Sequence, residues 1–252
     1  MASVKKPSGL KPSAIYKRAT NPRQFDLPDA GWPSDNPLVD AIRQYWLEYL
    51  LPYQSLWTGA DIFEIGCGDG WLLDFLKRNG SSTVEGLDPS IRAIQKARES
   101  YPTIPIHRIS FESFPFSHQY DLILSLLVFS HIPNLDIAFA KIKGLLKPRG
   151  TALIMIPDFE YYRSPRGYDM QIETVSEKEY LIQVNRPEGI IADIIRKVEV
   201  YQSSAEAHGL SLVERIEIKP TETLMLKIPR YRASHGKTMH QLLRFERNPK
   251  IV

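Results

Sequence analysis

The stretch from Asp61 to Leu73 constrains the fold of this chain more than any other part of the sequence. It reads DIFEIGCGDGWLL, and its three glycines stand at positions 66, 68 and 70. A short apolar run precedes the glycines and a helical pattern follows them. Glycine permits positive φ angles and a close approach of a ligand to the backbone, and a helix N-terminus offers free N–H groups to an anion. The stretch therefore predicts a strand, a glycine-rich turn and a helix beside a small ligand.

Strand and helix patterns alternate from this stretch as far as Pro157. Strands are predicted in DIFEIG, STVEGLD, IPIHRIS, YDLILSLLV and TALIMIP, and the helices between them in GWLLDFLKRNG, PSIRAIQKARESY and NLDIAFAKIKGLLKPRG. Strands that are buried on both faces and alternate with helices are typical of a parallel sheet covered by helices. An earlier helix is predicted in WPSDNPLVDAIRQYWLEYLLP, with a cap at Ser34, Asp35 or Asn36, Pro37 in its first turn and Pro52 at its end.

The pattern after Pro157 is less regular. Residues 158–186 are polar and rich in tyrosine, and PEGIIADIIRKVEVYQSSAEAHG is predicted as one long helix that ends at Gly209. LSLVERIEIKP and ETLMLKIP are predicted as two final strands that pair antiparallel. We therefore expect one domain over residues 34–228, in which 158–205 is an insertion followed by a helix. Residues 1–33 are expected to form a flexible basic arm and residues 229–252 a basic tail.

Charge is distributed unevenly along the chain, although the net charge is only +3. Residues 1–25 hold six Lys or Arg and no acid, and residues 227–252 hold seven Lys or Arg and one acid. The middle of the chain holds 19 basic and 28 acidic residues. Basic ends of this kind are either solvated tails or contacts to an anionic partner such as nucleic acid, a lipid surface or a phosphorylated substrate. Their sequence does not interleave bases with aromatic residues, which argues against nucleic acid.

Cysteine usage and hydropathy indicate the setting of the protein. The single cysteine, Cys67, excludes an intramolecular disulfide and a multi-cysteine metal site, and no metal site is predicted. The N-terminus lacks the apolar core of a signal peptide. No apolar run approaches the ~20 residues that a membrane span needs. The expectation is a soluble, cytoplasmic protein.

The spacing of the glycines distinguishes between nucleotide ligands. A dinucleotide fingerprint needs its third glycine at the position of Trp71, and the phosphate-loop pattern ending in Gly-Lys-Ser/Thr is absent. Glu64, just before the glycines, suits a cationic amine better than a diphosphate. Asp88 closes the second strand, where an acid accepts hydrogen bonds from ribose hydroxyls, and its alternative role is to cap the helix that follows. The pattern predicts a nucleoside ligand that carries both an anionic group and an amine.

Five segments, taken in order, resemble the motifs of the class I S-adenosylmethionine-dependent methyltransferases. They are EIGCGDG, GLDPS, SFESFPF, YDLILSLLVFSHIPN and LLKPRGTALIMIP, and the resemblance covers roughly residues 38–228. It implies a Rossmann-like, doubly wound α/β fold. The sheet would have seven strands, mostly parallel with an antiparallel last strand, and helices on both faces. The resemblance also implies S-adenosyl-L-methionine as the cofactor.

The same resemblance implies which residues contact each part of this cofactor. The residues that would face its methionine part are Glu64, Gly66, Cys67, Gly68, Gly70 and Leu126. The residues that would hold its ribose and adenine are Asp88, Pro89 or Ser90, Phe111 and Glu112. Many members of the family have an acid at the first position of SFESFPF, where this chain has Ser110. The assignment among Ser110, Phe111 and Glu112 therefore stays open.

Candidate residues for the methyl acceptor follow the fourth and fifth strands. Positioning and desolvation supply much of the rate of methyl transfer, and a general base is needed only for a hydroxyl or a protonated amine. His131, in FSHIP, is the candidate catalytic base, and its alternative role is packing. Asp158, Tyr161 and Tyr162 are the acceptor-site candidates, and the two tyrosines would otherwise form the surface of a lid.

The acceptor is predicted to be a small molecule. Neither a cysteine nucleophile nor an Asn/Asp-Pro-Pro-aromatic loop follows the fourth strand, where the chain reads SLLV. The cysteine would be expected for methylation at carbon 5 of a pyrimidine base, and the loop for methylation of exocyclic or side-chain amides. The sequence therefore predicts methyl transfer to an oxygen or nitrogen of a small molecule. The alternatives are a non-catalytic nucleoside-binding module and an RNA or protein methyltransferase guided by the basic termini. The identity of the acceptor and the oligomeric state stay open.

Overall fold

In the part of the chain that the structure describes, ten strands form two separate sheets. The computed structural model describes residues 12–30, 38–115, 118–165 and 167–248. The strands of the described ranges are β1 (Asp61–Ile65), β2 (Thr83–Leu87), β3 (Ile106–His107), β4 (Tyr120–Leu126), β5 (Leu146–Pro157), β6 (Asp169–Ser176), β7 (Glu179–Arg186), β8 (Gly189–Arg196), β9 (Leu210–Ile218) and β10 (His240–Arg247). One sheet has seven strands in the order β3-β2-β1-β4-β5-β10-β9, and the other has the order β6-β7-β8.

The seven-stranded sheet has the predicted doubly wound arrangement. Strands β1 to β5 pair in parallel, whereas β10 runs antiparallel to both of its neighbours, β5 and β9. The predicted fold class, with an antiparallel last strand, is confirmed. The central strands bury nearly all of their side chains, as expected for strands with helices on both faces.

Helices cover both faces of this sheet. The helices of the described ranges are α1 (Ala14–Ala19), α2 (Val39–Leu50), α3 (Gln54–Trp57), α4 (Trp71–Arg78), α5 (Ile91–Ser100), α6 (Leu135–Leu145), α7 (Phe159–Arg163), α8 (Val198–Ala207) and α9 (Glu222–Lys227). Apolar residues of α2, α4 and α5 form one core with the sheet, and those of α6 and α8 form another. None of these helices combines the length and apolar character that a membrane crossing requires.

Local signals explain where several helices begin. Ser90 accepts a hydrogen bond from the Ala93 N–H at the start of α5, and Asn134 does the same for the Ile137 N–H at the start of α6. These are ordinary N-caps, and each satisfies a donor that the helix leaves free. The cap and first-turn residues predicted for α2, Ser34 to Pro37, lie outside the described residues. Pro52, predicted to end that helix, lies in the short 3₁₀ helix that directly follows it.

The long helix predicted over residues 187–209 is wrong in its first half. Residues 189–196 form strand β8, which pairs antiparallel with β7, and only residues 198–207 are helical. Strand β8 is buried on both faces, because Ala192 and Ile194 pack against α1 while Ile195 packs among tyrosines of β7 and α7. A mostly apolar run of this kind has no clear strand alternation, so its periodicity does not distinguish a strand from a helix.

The strand predicted in ETLMLKIP is also wrong. Residues 222–227 form helix α9, whose N-cap Thr221 accepts a hydrogen bond from the Leu224 N–H. The final strand lies further on, at β10, inside the segment predicted as a basic tail. Leu242, Leu243 and Phe245 are each at most 1 % exposed, while Arg244 of the same strand pairs with Glu214 and Glu246. One of the charges that suggested a tail, Arg244, is therefore paired with acidic side chains inside the folded sheet.

The described part of the predicted N-terminal arm is folded against the three-stranded sheet. Helix α1 places Ile15 and Ala19 against β7 and β8. Arg18 donates two hydrogen bonds, of 2.9 and 2.6 Å, to the Asp29 carboxylate, and the Ile190 N–H donates to the Asp29 carbonyl at 2.7 Å. Residues on both sides of the predicted 34–228 domain thus belong to the folded structure.

Candidate active site

A cavity of about 260 Å³ opens at the carboxyl ends of β1, β2 and β4. This is the edge where open parallel sheets bind their ligands. Two groups of residues line it. We call the group from the first two strands the glycine side, which comprises Glu64, Gly66, Gly68, Asp69 and Asp88. We call the group from more distant segments the histidine side, which comprises Phe25, His131, Tyr162, Arg186 and Asp193.

The three glycines of the turn after β1 all have positive φ angles, but for different structural reasons; Gly66 and Gly68 line the cavity, and Gly70 is not part of its described lining. Gly66, at φ 74°, lies so close to the loop after β4 that an added Cβ would be 2.2 Å from Val128 Cγ2. Gly68, at φ 55°, has nothing within 4 Å of the same position, and Gly70, at φ 81°, begins helix α4. Gly66 therefore allows the strand to pack, whereas Gly68 leaves an open space beside bare backbone. That space is available to a ligand.

Glu64 is the least satisfied charged group of the cavity. It lies at the end of β1 and is only 2 % exposed, and its Oε2 atom has no hydrogen-bond partner among the described residues. Burial, together with the nearby carboxylates of Asp88 and Asp69, raises the pKa of Glu64 well above its usual value. A buried carboxylate without a partner is costly, and a ligand amine would supply the missing positive charge. The site therefore fits a cationic group at this point.

Asp88 is held by backbone groups at the end of β2. Its Oδ2 accepts from the Gly68 N–H at 3.0 Å, and its Oδ1 accepts from the Ser90 N–H at 2.8 Å. Burial outweighs these bonds and raises the pKa of Asp88 to about 6. The contact with Ser90 shows that Asp88 supports the start of α5, the alternative role considered from the sequence. A carboxylate has about four acceptor positions, so two remain for ligand hydroxyls.

An ion pair that the sequence reasoning missed borders the glycine side. Arg43 of α2 donates to Asp69 Oδ2 at 2.6 Å, and its guanidinium lies 5.4 Å from the centre of the Trp71 ring. Trp71 in turn lies beside Trp46, with the ring centroids 6.4 Å apart. Trp71, which replaces the third glycine of the dinucleotide pattern, thus forms an aromatic wall together with α2. The spacing of the glycines gave no signal for this wall.

The remaining cofactor candidates divide between the cavity and the core. Leu126 and Cys67 line the cavity, and burial, followed by the charge of Glu64, raises the pKa of the Cys67 thiol well above its usual value. The described lining does not include Pro89, Ser110, Phe111 or Glu112. Phe111 is 3 % exposed and packs in the core, and Ser110 donates to the hydroxyl of Ser113. Contacts of these four residues to adenine stay a prediction.

Residues 24–26 connect the two sides of the cavity, and no motif in the sequence predicts this role. Asp26 accepts hydrogen bonds from the Ser90 hydroxyl at 2.8 Å and from the Ile91 N–H at 2.9 Å, so it reinforces the start of α5. Burial opposes ionisation of Asp26, but these bonds hold its pKa below the usual value. Phe25 lines the cavity and meets the His131 ring edge to face at 5.5 Å.

His131 lies in the cavity wall, in the short 3₁₀ helix that follows β4. Its Nδ1 is 2.8 Å from Gln24 Nε2, and its Nε2 is 3.6 Å from Asp193 Oδ1. Burial lowers the pKa of His131 below its usual value, although Asp193 and the Ala19 carbonyl favour the charged form. Burial therefore favours the neutral ring. Asp193 itself is 7 % exposed and projects from β8, in the segment that the sequence assigned to a helix.

The three acceptor-site candidates occupy different positions. Tyr162 lines the cavity, and its hydroxyl is 3.3 Å from His240 Nε2. Tyr161 and Asp158 lie outside the described lining. The Tyr161 hydroxyl bonds to Ser234 at 2.7 Å, and the Asp158 carboxylate caps α7 and accepts from Gln241 Nε2. Both of these side chains hold α7 in place, so the structure brings only Tyr162 together with His131.

The described residues contain no group of three or more His, Cys, Asp or Glu side chains arranged to hold a metal ion. Several charged and polar groups of the protein line the cavity. On the glycine side these are three carboxylates, one of them without a partner. On the histidine side they are a neutral imidazole, a carboxylate, an aromatic wall and the Arg186 guanidinium, whose Nε has no hydrogen-bond partner within the described chain.

Comparison with protein-family models gives a match that covers most of the residues lining the cavity. A family model described as "Methyltransferase domain" matches residues 40–204. Among curated relatives, a ubiquinone biosynthesis O-methyltransferase of Alkalilimnicola ehrlichii is 28 % identical over 59 % of this chain and 59 % of its own length. One from Rhodopseudomonas palustris is 26 % identical over 40 % of this chain and 41 % of its own length. The matches thus span only about half of these relatives.

Solved structures with similar folds include methyltransferases with different names. An S-adenosylmethionine-dependent methyltransferase from Mesorhizobium loti is 19 % identical with a TM-score of 0.61, over 79 % of this chain and 97 % of that one. The N-methyltransferase NodS from Bradyrhizobium japonicum is 16 % identical with a TM-score of 0.56, over 86 % of this chain and 99 % of that one. At these identities the similarity concerns the fold.

Proposed function

Since this chain belongs to the class I S-adenosylmethionine-dependent methyltransferase family, we propose that it transfers the methyl group to an oxygen or nitrogen of a small molecule. The observation that carries the proposal is the cavity in which an unpartnered Glu64 and the open space at Gly68 lie on the glycine side. The same cavity continues to an imidazole and a carboxylate on the histidine side. Cofactor and acceptor sites are thus joined in one space.

The glycine side fits the cofactor. Glu64 would hold its amine, and Asp88 would accept hydrogen bonds from its ribose hydroxyls. Arg43 keeps Asp69 neutralised through their 2.6 Å contact, which limits the repulsion among three neighbouring carboxylates. When bound, S-adenosylmethionine supplies an electrophilic methyl carbon on a positive sulfonium. The protein contributes mainly by positioning the acceptor and excluding water, which in well-aligned systems corresponds to effective molarities of ~10⁵ M or more.

The histidine side supports a small acceptor with an apolar body. Phe25, Ile191 and Tyr162 line this part of the cavity, and the folded segment of residues 12–30 covers it. Arg186 lines the same part, and its unpartnered Nε suits an anionic group on the acceptor. The relatives named for ubiquinone biosynthesis are O-methyltransferases, which supports oxygen as the accepting atom. The structural neighbour NodS is an N-methyltransferase, so nitrogen remains the second possibility.

Three described arginines near the chain ends already have acidic partners, which gives no support to guidance by nucleic acid. Arg18 is paired with Asp29, Arg230 with Glu188, and Arg244 with Glu214 and Glu246. A surface for phosphates would leave such cations available. If an RNA target nevertheless existed, its binding would weaken steeply with salt concentration.

Two measurements test the proposal. Isothermal titration should show that the protein binds S-adenosylmethionine and its demethylated product. Glu64→Gln should weaken this binding. Glu99→Gln, at an exposed position of α5, is the control and should leave the affinity unchanged. Incubation with cofactor carrying a radiolabelled methyl group and with extracts of the source organism should label a small molecule. Binding without any labelled product would indicate the non-catalytic module, and label in RNA or protein would reject the small-molecule acceptor.

A further inference from the structure

The orientation of the Gln24 side chain is determined by the backbone of Ala192. Gln24 Oε1 accepts from the Ala192 N–H at 3.3 Å, and Gln24 Nε2 donates to the Ala192 carbonyl at 3.2 Å. Turning the amide over would place oxygen against a carbonyl and N–H₂ against an N–H. Gln24 is also 3 % exposed, so no solvent compensates for such a reversal. The amide nitrogen of Gln24 therefore faces His131.

This orientation determines the tautomer of His131. A glutamine amide nitrogen is only a donor and has two hydrogens. One of them goes to the Ala192 carbonyl. His131 Nδ1, at 2.8 Å, is a nearer acceptor for the other than the Ala19 carbonyl at 3.5 Å, so Nδ1 accepts. In the neutral ring the proton then resides on Nε2. That nitrogen points toward Asp193, whose Oδ1 lies 3.6 Å away, slightly beyond hydrogen-bond length. A neutral His131 of this tautomer has no free lone pair on the Asp193 side, so it does not act there as a base.

We infer that Asp193 is the catalytic base for a hydroxyl acceptor, that His131 is a hydrogen-bond donor to the acceptor oxygen, and that Gln24 is a positioning residue. The inference rests on the proposed methyl transfer to oxygen. An acceptor oxygen between the two groups would accept from the His131 Nε2–H and donate its own proton to Asp193. In the reaction that proton passes to the Asp193 carboxylate. The oxygen forms its bond to the methyl carbon with its own electron pair, and the electron pair of the broken C–S bond stays on sulfur.

The charged groups around His131 are consistent with this division of roles. Gln24, Phe25 and the Ala19 carbonyl face the ring from the N-terminal segment, and Asp193 faces it from β8. Within the same cavity the other charged groups are Arg43, Glu64, Asp69, Asp88, Arg92 and Arg186.

The nearby Arg196 already has hydrogen-bond partners, because it pairs with Glu179 and donates to the Phe129 and Pro133 carbonyls. Arg196 thereby holds the loop that carries His131.

The tautomer can be tested without an acceptor. The full chain is labelled with ¹⁵N-histidine, and the His131 ring signals are assigned by their loss in His131→Asn. We expect a pyridine-like Nδ1 and a pyrrole-like Nε2 at pH 7.5. Gln24→Glu places an acceptor at the same position, so it should move the proton to Nδ1 and raise the His131 pKa, while Gln24→Met should leave a mixture of tautomers. Unchanged signals from the other five histidines show that each variant folds. A protonated Nδ1 in the unsubstituted protein overturns the inference.

Two conservative substitutions distinguish the catalytic base from the hydrogen-bond donor. Transfer is followed from radiolabelled cofactor into 4-hydroxybenzoate, a probe with one hydroxyl and one carboxylate, and into any acceptor found in the extract screen. Asp193→Asn should lower kcat by ~10²-fold or more, in line with loss of a general base, with unchanged cofactor affinity. His131→Asn keeps a donor, so it should lose only about tenfold. An equal or larger loss in His131→Asn would make His131 the base. Absence of transfer by the unsubstituted protein contradicts the proposed function instead.

Discussion

The glycine side and the histidine side of one cavity are built in opposite ways. The glycine side comes from residues 64–70 and 88, and neighbouring strands β1 and β2 bring these together. The histidine side requires residues 24–25, 131, 162, 186 and 193, which come from the N-terminal segment, the β4 loop, α7 and a separate sheet. The difference indicates that cofactor binding depends on local backbone geometry. Acceptor binding and proton transfer depend on how distant segments dock.

The largest expected effect concerns the backbone of the glycine side. Gly66→Ala should lower the free energy of unfolding by about 2–4 kcal/mol, because it combines left-handed strain with a Cβ that is 2.2 Å from Val128. Gly59→Ala is the matched control, since Gly59 has a similar φ of 72° and open space around it. It should cost only about 1–2 kcal/mol. Urea unfolding measures both, and equal losses would show that the Val128 contact relaxes.

The second prediction separates the two sides by cofactor affinity. Asp88→Ala should weaken binding of S-adenosylmethionine by about 1–3 kcal/mol, through loss of charge-assisted hydrogen bonds. Asp193→Ala, an equally drastic change on the histidine side, should leave this affinity within about 0.5 kcal/mol. Isothermal titration provides both values. A weakened Asp193 variant would mean that the two sides do not bind independently.

The third prediction is a pH dependence confined to the glycine side. Burial raises the pKa of Asp88 to about 6 and that of Glu64 well above its usual value, so both acids hold protons in the free protein at low pH. Both must be ionised to accept from ribose and to pair with an amine. Affinity should therefore fall as the pH drops below 6, up to about tenfold per pH unit for one proton. Titration in buffers of different ionisation enthalpy should show proton release on binding, and proton uptake would contradict it.

The smallest expected effect concerns the segment that joins the sides. Asp26→Ala removes the acceptor for Ser90 and Ile91, so it should cost about 1 kcal/mol of stability and increase proteolysis within residues 12–30. Asp40→Ala is the control, because that side chain is 92 % exposed. Equal protease resistance of both variants would mean that Asp26 does not hold the segment in place.

Prediction from the sequence succeeded where neighbouring residues carry the information. The alternation from Asp61 to Pro157 indicates strands buried on both faces, and the glycines indicate a turn that needs positive φ angles.

Prediction from the sequence failed at β8 and β10 for two physical reasons. GIIADIIR is mostly apolar because α1 covers one of its faces. HQLLRFER looks like a charged tail, although Arg244 pairs with Glu214 of β9 and with Glu246 of its own strand. Asp193 was missed as a result, since its strand was assigned to a helix.

The sequence by itself determined the sheet around the glycine turn, the acid before that turn and the acid that closes the second strand. These features follow from local backbone requirements, which a contiguous stretch of residues records. Only the tertiary structure decided that Gln24 contacts His131 and that Asp193 faces the same imidazole. Those contacts join residues more than 60 positions apart, and their geometry depends on how whole elements pack against one another.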